Sequence, residues 1–294
     1  MVNTVDNIFV STYESILRHL AQQMPSRLRA KVTERGVDSE EHNWERLGTA
    51  EAQVKSTRLQ ATPVQDWPWS RRVSVPVTYD TGDSTEQEDI VQMIIDPNSN
   101  LAQSQGYAMR RAYDDEIISA ATGTALDGLG VANPFPAAQK VFGVTVDVYD
   151  TSLNFDLITQ VTERFLDNDI DPDEPKCFVI GPVQARKLLQ LTEATSADFN
   201  AVRPLQTMGY VDNWMGYQWI VSTRLNHPTA PGTDIDCFVM TKKALGLQVN
   251  RDITSRIAED PSISFAWRIY SFMTIGSVRV EDEHIVQVQL ADTI

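Results

Sequence analysis

Cysteine is scarce in this chain of 294 residues, which holds only two, Cys177 and Cys237. Each lies in a strand-like apolar run, Cys177-Phe178-Val179-Ile180 and Cys237-Phe238-Val239-Met240. Such positions predict buried thiols instead of a bridge, and two cysteines cannot build a zinc cluster alone. Long apolar runs are missing too, because charged or amide residues interrupt each one, so no membrane partner is expected. Asp6 and Glu14 fall where a signal peptide is apolar, and the chain is expected to stay inside the cell that makes it. Nor does the start at Met1 suggest a removable domain ahead of the rest.

Positive charge is the other shortage. Forty acidic side chains face 25 basic ones, a net charge of −15, and the largest basic groups are Arg27 to Lys31 and Arg71-Arg72. A protein that grips phosphates needs a basic face. The balance argues against that mode of nucleic-acid binding.

Motifs for chemistry are also absent. Gly128-Leu129-Gly130 is a lone G-x-G with no third glycine, no G-x-S-x-G elbow occurs, and His19, His42, His227 and His284 stand singly. Asp167, Asp169, Asp171 and Asp173 open like a calcium loop, but Pro172 takes the glycine position and Phe178 the glutamate position. The run reads as a solvated acidic turn, with a loose cation site as the alternative, and His227 before Pro228 as a solvated turn residue. No catalytic residue, cofactor or metal ligand is expected.

What is present begins with a rod. From Asp96 to Gly130 the chain reads as one long helix: Asp96 can cap its first turn, Pro97 suits the first helical position, and Met109, Tyr113, Ile117 and Ala121 recur at i, i+4. Ala108, Ala112 and Ile118 widen that stripe, and Arg110/Asp114 and Arg111/Asp115 are i, i+4 pairs on the other side. Gly123 would weaken the last turns, and Gly128 or Gly130 would end them. From Asn100 to Leu126 such a helix spans roughly 40 Å.

Ahead of the rod lies an arm. Between Gly48 and Ile95 the strand candidates are Thr57 to Val64 and Arg71 to Tyr79, joined by Gln65-Asp66-Trp67-Pro68-Trp69-Ser70. Val73, Val75 and Val77 alternate with polar residues, and Pro76 confines the second strand to an edge or a lone hairpin. A lone hairpin is marginal in water and needs a surface to lie on. Folding back on its own domain and laying onto another subunit both meet that need; the intersubunit arm is the reading carried forward. Trp67 and Trp69 at its tip suit a protein interface or a stacked ligand.

An N-terminal helix carries Phe9, Tyr13 and Leu17 on one face, extended by Ile16 and Leu20, until Pro25 stops it. That face packs either on a neighbour or on its own core. The charged stretch from Pro25 to Arg46, with Gly36, reads as an exposed strap. In the C-terminal half, a helix over Thr151 to Asn168, a strand Lys176 to Ile180, a helix from Gly181-Pro182 through Leu191 and strands at Trp219 to Ser222 and Asp236 to Thr241 form an α/β unit. Further strands follow at Leu245 to Asn250, Ser262 to Ile275 and His284 to Leu290.

Taken in order, Pro25-Ser26-Arg27-Leu28-Arg29, Leu47-Gly48, Ser70-Arg71-Arg72-Val73, Asp96-Pro97 and the rod with Arg111, Asp114, Ile117, Ile118, Gly123 and Ala125 resemble the major capsid protein of a tailed bacteriophage. The resemblance is specific in residues from Pro25 to Ala125 and architectural beyond. It implies an α+β fold of the Hong Kong 97-like type: N-terminal arm (1–47), extended β-hairpin loop (48–95), spine helix and first part of a peripheral domain (96–150), axial domain (151–242) and returning peripheral strands (243–294). It implies a subunit without chemical turnover that self-assembles into hexamers and pentamers of an icosahedral head around double-stranded DNA. The implied partners are other copies, a portal protein, and in some relatives scaffolding and decoration proteins; the implied location is the virion capsid, assembled in the host cytoplasm. DNA would be enclosed without sequence-specific binding. The interface residues expected from the pattern are Phe9, Tyr13 and Leu17 in the strap, Trp67 and Trp69 at the tip, and Arg71 and Arg72 as polar anchors. Two alternatives stay open: a soluble α/β enzyme or ligand-binding protein with a site near Gly181 and His227, and a minor phage structural protein.

Overall fold

The computed structural model describes residues 22–60, 64, 66–86, 98–143, 149, 151–191 and 212–292. Phe9, Tyr13 and Leu17, and the Asp96-Pro97 helix entry, lie outside the described residues. The chain divides into two compact units: Met1–Pro25, Tyr79–Arg111 and Ile253–Met273 in one, and Ser26–Thr78, Ala112–Asp252 and Thr274–Ile294 in the other.

The strands are β1 (Thr33–Gly36), β2 (His42–Leu47), β3 (Trp69–Ser74), β4 (Val77–Thr85), β5 (Ala125–Asp127), β6 (Ala132–Asn133), β7 (Lys140–Val141), β8 (Lys176–Ile180), β9 (Asn213–Trp214), β10 (Tyr217–Val221), β11 (Asp234–Thr241), β12 (Leu245–Asp260), β13 (Ala266–Arg279) and β14 (Ile285–Ala291). The helices are α1 (Asn98–Thr122), α2 (Phe155–Asp167) and α3 (Pro182–Gln190). Among the described residues these strands form three sheets, in the orders β1-β12-β13-β4, β7-β14-β11-β8-β10-β9 and β2-β3-β5-β6.

The rod forms, but it is shorter than its pattern suggests. α1 has 25 residues, about 37 Å at about 1.5 Å each, and buries Met109, Tyr113, Ile117, Ile118 and Ala121 as the i, i+4 spacing requires. It stops at Thr122: the Gly123 N–H makes the last bond of the helical ladder, to the Ser119 carbonyl at 3.0 Å, and Ala125 already pairs in a strand. A Cβ at 123 would stand 2.3 Å from that oxygen. Ala125–Asp127, assigned to the helix by pattern, is strand β5, paired with β3.

The arm expectation is corrected in two places. Thr57 to Gln60 and Val64 form no strand, and the run Arg71 to Tyr79 is split at Val75-Pro76 into β3 and β4, which join different sheets. Pro76 lacks an N–H and cannot continue the ladder. The crossing is close: a Cβ on Gly276 would meet the Val75 carbonyl oxygen at 2.6 Å. β3 is also no edge, since β2 lies on one side of it and β5 on the other.

The strap is likewise built into the chain's own sheets. Thr33–Gly36 runs parallel to Gly246–Val249 of β12, and His42–Leu47 runs antiparallel to Trp69–Ser74. The expected return of 243–294 to one peripheral sheet fails at its end, because β14 pairs with β11. β11 is buried along its whole length and needs a neighbour on each edge; β8 fills one and β14 the other.

In the larger unit, α2 starts at Asn154, whose side chain accepts the Leu157 N–H at 2.8 Å, and buries Leu157, Ile158, Val161 and Phe165. Phe178 and Trp219 stack at 4.5 Å between ring centres within the six-stranded sheet. The register sets Cys177 opposite Met240, three positions from Cys237, so the thiols are about 10 Å apart along the ladder and stay unbridged. In the smaller unit, the buried Gln105 amide bonds the Ile269 carbonyl at 3.3 Å and the Ser271 hydroxyl at 2.8 Å, and Tyr270 stacks on Phe272.

Candidate assembly surface

The small sheet β2-β3-β5-β6 has two unlike faces because strand residues alternate sides. Its inner face holds Trp44 and Arg72, a cross-strand pair. Trp44 packs with Ala125, Val278 and Val280, and its indole N–H donates to Ser74 Oγ at 3.1 Å. Gly246 permits this, since a Cβ there would meet the indole at 2.5 Å. Arg72 is 6% exposed and donates to Asp282 at 2.8 Å; Arg279 reaches the other oxygen of the same carboxylate at 2.6 Å. Arg279 also caps the carbonyls of Gly123, Asn133 and Pro134. Nε and Nη1 of Arg72 are buried without a partner.

The outer face carries the cross-strand pairs Leu47/Trp69 and Glu45/Arg71, and Val73 opposite Leu126. Trp69 is 72% exposed, and the Glu45–Arg71 pair, at 3.4 Å and half exposed, contributes little to stability. Beside it the turn after β5 is tightly built. The Asp127 carboxylate accepts the N–H groups of Leu129 and Val131, both at 2.9 Å, and Gly130 takes a φ of 77°. Leu129 stands at the apex, 90% exposed. Glu45, Trp69, Ser70, Arg71, Asp127 and Leu129 border a recess of about 330 Å³ here.

The arm leaves this face at a closed root, where the Gly48 N–H bonds the Pro68 carbonyl at 2.8 Å. Between those residues no described residue belongs to a strand, and Val54, Leu59, Val64 and Trp67 are exposed. Thus Trp67, Trp69 and Arg71 gather at the arm root and outer face. Arg72 points to the opposite, buried face. Sequence reasoning missed Leu129; its signal was an aspartate and two glycines bracketing a leucine, legible as a turn with an apolar apex.

The strap's base is clamped by charge. Arg29 pairs with Glu34 at 2.7 Å and Asp252 at 2.8 Å, and those hydrogen bonds, Glu34 first, push its pKa above the ordinary value. Its guanidinium lies 4.6 Å from the Tyr113 ring centre. Burial pushes the Tyr113 phenol up as well, while its hydroxyl donates to Asp252 at 2.9 Å.

Chemistry elsewhere is spoken for. In the acidic turn, the Lys176 ammonium donates to the carbonyls of Asp171, Pro172 and Glu174 at 2.9, 3.2 and 3.1 Å. Among the described residues no group of three or more His, Cys, Asp or Glu could hold a metal ion. His227 is more enclosed than a solvated turn residue, its Nδ1 lying 2.5 Å from the Asp234 carbonyl. Gly181 precedes α3 with Gln184 and Ile235 packed against it, a Cβ there meeting either at 2.6 Å.

Sheets clasped internally, an exposed arm and an open apolar face are features that suit a structural protein. The family model for phage capsid proteins matches residues 5–292, and the chain belongs to that family. Solved structures share its fold over nearly the whole length. A capsid chain of Cyanophage P-SCSP1u is 16% identical, with TM-score 0.76, over 99% of this chain and 95% of that one. The mature capsid of bacteriophage PhiM1 gives 15% identity and TM-score 0.70 over 96% and 92%. The capsid of Helicobacter pylori bacteriophage KHP30 gives 9% and 0.73 over 99% and 98%. No curated protein matches the sequence. The α+β architecture is that of phage capsid structures, and the Hong Kong 97-like fold is consistent with these neighbours. The protein is a phage capsid protein and a component of the virion.

Proposed function

We propose that this capsid protein is the major shell subunit, assembling as hexamers and pentamers into an icosahedral head that encloses double-stranded DNA, without chemical turnover. The observation that carries the assembly mode is the arm: Gly48 to Pro68 leaves its sheet through a closed root and exposes Val54, Leu59, Val64 and Trp67 beside an uncovered face. Exposed apolar groups gathered in this way mark a protein interaction surface. Trp67 and Trp69 serve as its aromatic contacts and Arg71 as its polar anchor. Arg72 supports the same strand from the buried side. Phe9, Tyr13 and Leu17 of the N-terminal segment add apolar contacts to neighbours.

In this reading 48–95 holds the intersubunit loop, 96–150 the spine, 151–242 the axial region, and 243–294 the return, with β14 counted in the axial sheet. A portal protein is its further partner, as scaffolding and decoration proteins are in some relatives of this fold. Assembly takes place in the host cytoplasm. With a net charge of −15, the inner wall repels packaged DNA and leaves it without sequence-specific contacts.

The test is expression of the chain alone, followed by sizing and negative-stain microscopy. Capsomers or shells of megadalton mass are the expected result. Arg71→Glu is expected to keep the fold and stop closure. A stable small oligomer at high concentration, or normal particles from Arg71→Glu, would count against the shell role and the anchor role respectively.

A further inference from the structure

β1 and β2 follow one another in the chain but belong to different sheets, and each is an edge strand. Between them runs a groove of about 550 Å³. Buried Trp44, Leu245 and Val280 form its floor, and Arg35, Glu45, Lys243 and Glu281 line it with charge. The link between the strands is fixed, since the Ser39 carbonyl accepts from Gln248 at 3.2 Å and Asn250 at 2.6 Å. Open edges of this kind are templates for an added strand.

The arm contains a segment written for that role. Ala50-Glu51-Ala52-Gln53-Val54-Lys55 alternates apolar and polar residues over six positions, the period of a strand with one buried face. Yet these residues join no sheet, and all are exposed. At about 3.3 Å per residue the segment spans about 20 Å, the length of the six-residue strand β2. Its apolar side chains are small.

We propose that Ala50–Lys55 of a neighbouring copy lies in this groove as an added strand. Main-chain hydrogen bonds to an open edge supply affinity, and Ala50, Ala52 and Val54 cover the Trp44–Leu245–Val280 floor. Charge agrees: Arg35 has no ion-pair partner among the described residues, and the incoming strand brings Glu51, while Lys55 meets the carboxylates of Glu45 and Glu281. The inference rests on the reading that the arm reaches neighbours, and it names the receiving site.

A double variant, His42→Cys with Val54→Cys, tests it, because His42 lines the groove on the Trp44 side of β2 and the native thiols are buried. Oxidised particles are expected to give reducible multimers on denaturing gels, and either single variant none. Intact particles without multimers, or an intrachain bond in dilute subunits, would overturn the proposal. A peptide of residues 48–56 gives a second readout that needs no shells: at saturation it is expected to slow hydrogen exchange of the His42–Leu47 amides at least about tenfold. Unchanged exchange overturns the docking site, and Ala52→Pro in the peptide is expected to abolish the effect. Failure of the unaltered chain to form particles, with the peptide still protecting β2, would overturn the shell reading and leave the groove assignment standing.

Discussion

The carboxylate of Asp114, in the middle of α1, accepts the peptide N–H of Leu28 at 3.1 Å. The same group takes the Arg27 N–H at 3.0 Å and the Ser26 hydroxyl at 2.6 Å. One buried side chain therefore caps the turn through which the strap enters β1. Hydrogen bonds to a charged group contribute about 1.5–3 kcal/mol each, and they share one acceptor, so their values do not add.

Asp114→Ala leaves those donors without their acceptor and is expected to lower the unfolding free energy by about 3 kcal/mol. Trypsin should then cut the folded protein at Arg27 and Arg29, read by mass mapping. Resistance equal to the wild type would show that the strap is held by something else.

Asp282 sits between two buried guanidiniums, and removing it should hurt more than removing Arg72. Asp282→Asn is expected to cost about 3–5 kcal/mol, because two buried cations lose their counter-charge. Arg72→Met removes a side chain with two unpartnered N–H groups and should be near neutral or stabilising. Urea midpoints of the two variants, compared at equal slopes, decide the order.

Burial raises the pKa of Asp236, against the pull of hydrogen bonds from Tyr149 and others. The folded protein thus binds this proton more tightly than the unfolded chain. The sign follows: Asp236 favours folding most below the unfolded carboxylate pKa, and that contribution is lost as pH rises through the folded value. Asp236→Asn should gain stability relative to the wild type between pH 4 and pH 7 in denaturant titrations. An opposite trend would mean the carboxylate is better satisfied when charged.

Burial lifts the Cys177 thiol to about 12, and Cys237 is wholly enclosed. Neither is expected to react with a thiol reagent at pH 8 in the native protein, and both should react in denaturant. A fast-reacting thiol in the folded chain would show that the six-stranded sheet opens.

Leu129→Asp changes only an exposed apex, so unfolding should move by less than about 0.5 kcal/mol. Particle yield, measured by sedimentation, should fall sharply. Unchanged yield would remove this turn from the interface.

Much of the C-terminal half was legible because its patterns are local. The run Phe155, Ile158, Val161, Phe165 has helical spacing and forms α2; Gly181-Pro182 opens α3; the apolar runs Cys177–Ile180 and Cys237–Met240 lie in buried strands β8 and β11, the second of which starts two residues before the Asp236 expected from the pattern. The arm was harder. Arg71 and Arg72 look equivalent as letters, but adjacent strand residues face opposite ways, so one is half exposed and the other enclosed by Asp282.

The sequence by itself determined where apolar stripes recur, where Pro76 interrupts a ladder, that two cysteines alone cannot build a zinc cluster, and that a long helix follows an arm. Only the tertiary structure decided which strands meet. Thr33–Gly36 found β12, His42–Leu47 found β3, and Ala125–Asp127 left the helix to lie between β3 and β6. Pairing depends on contacts between residues far apart in the chain, and their side-chain alternation shows which face is buried without showing which neighbour buries it.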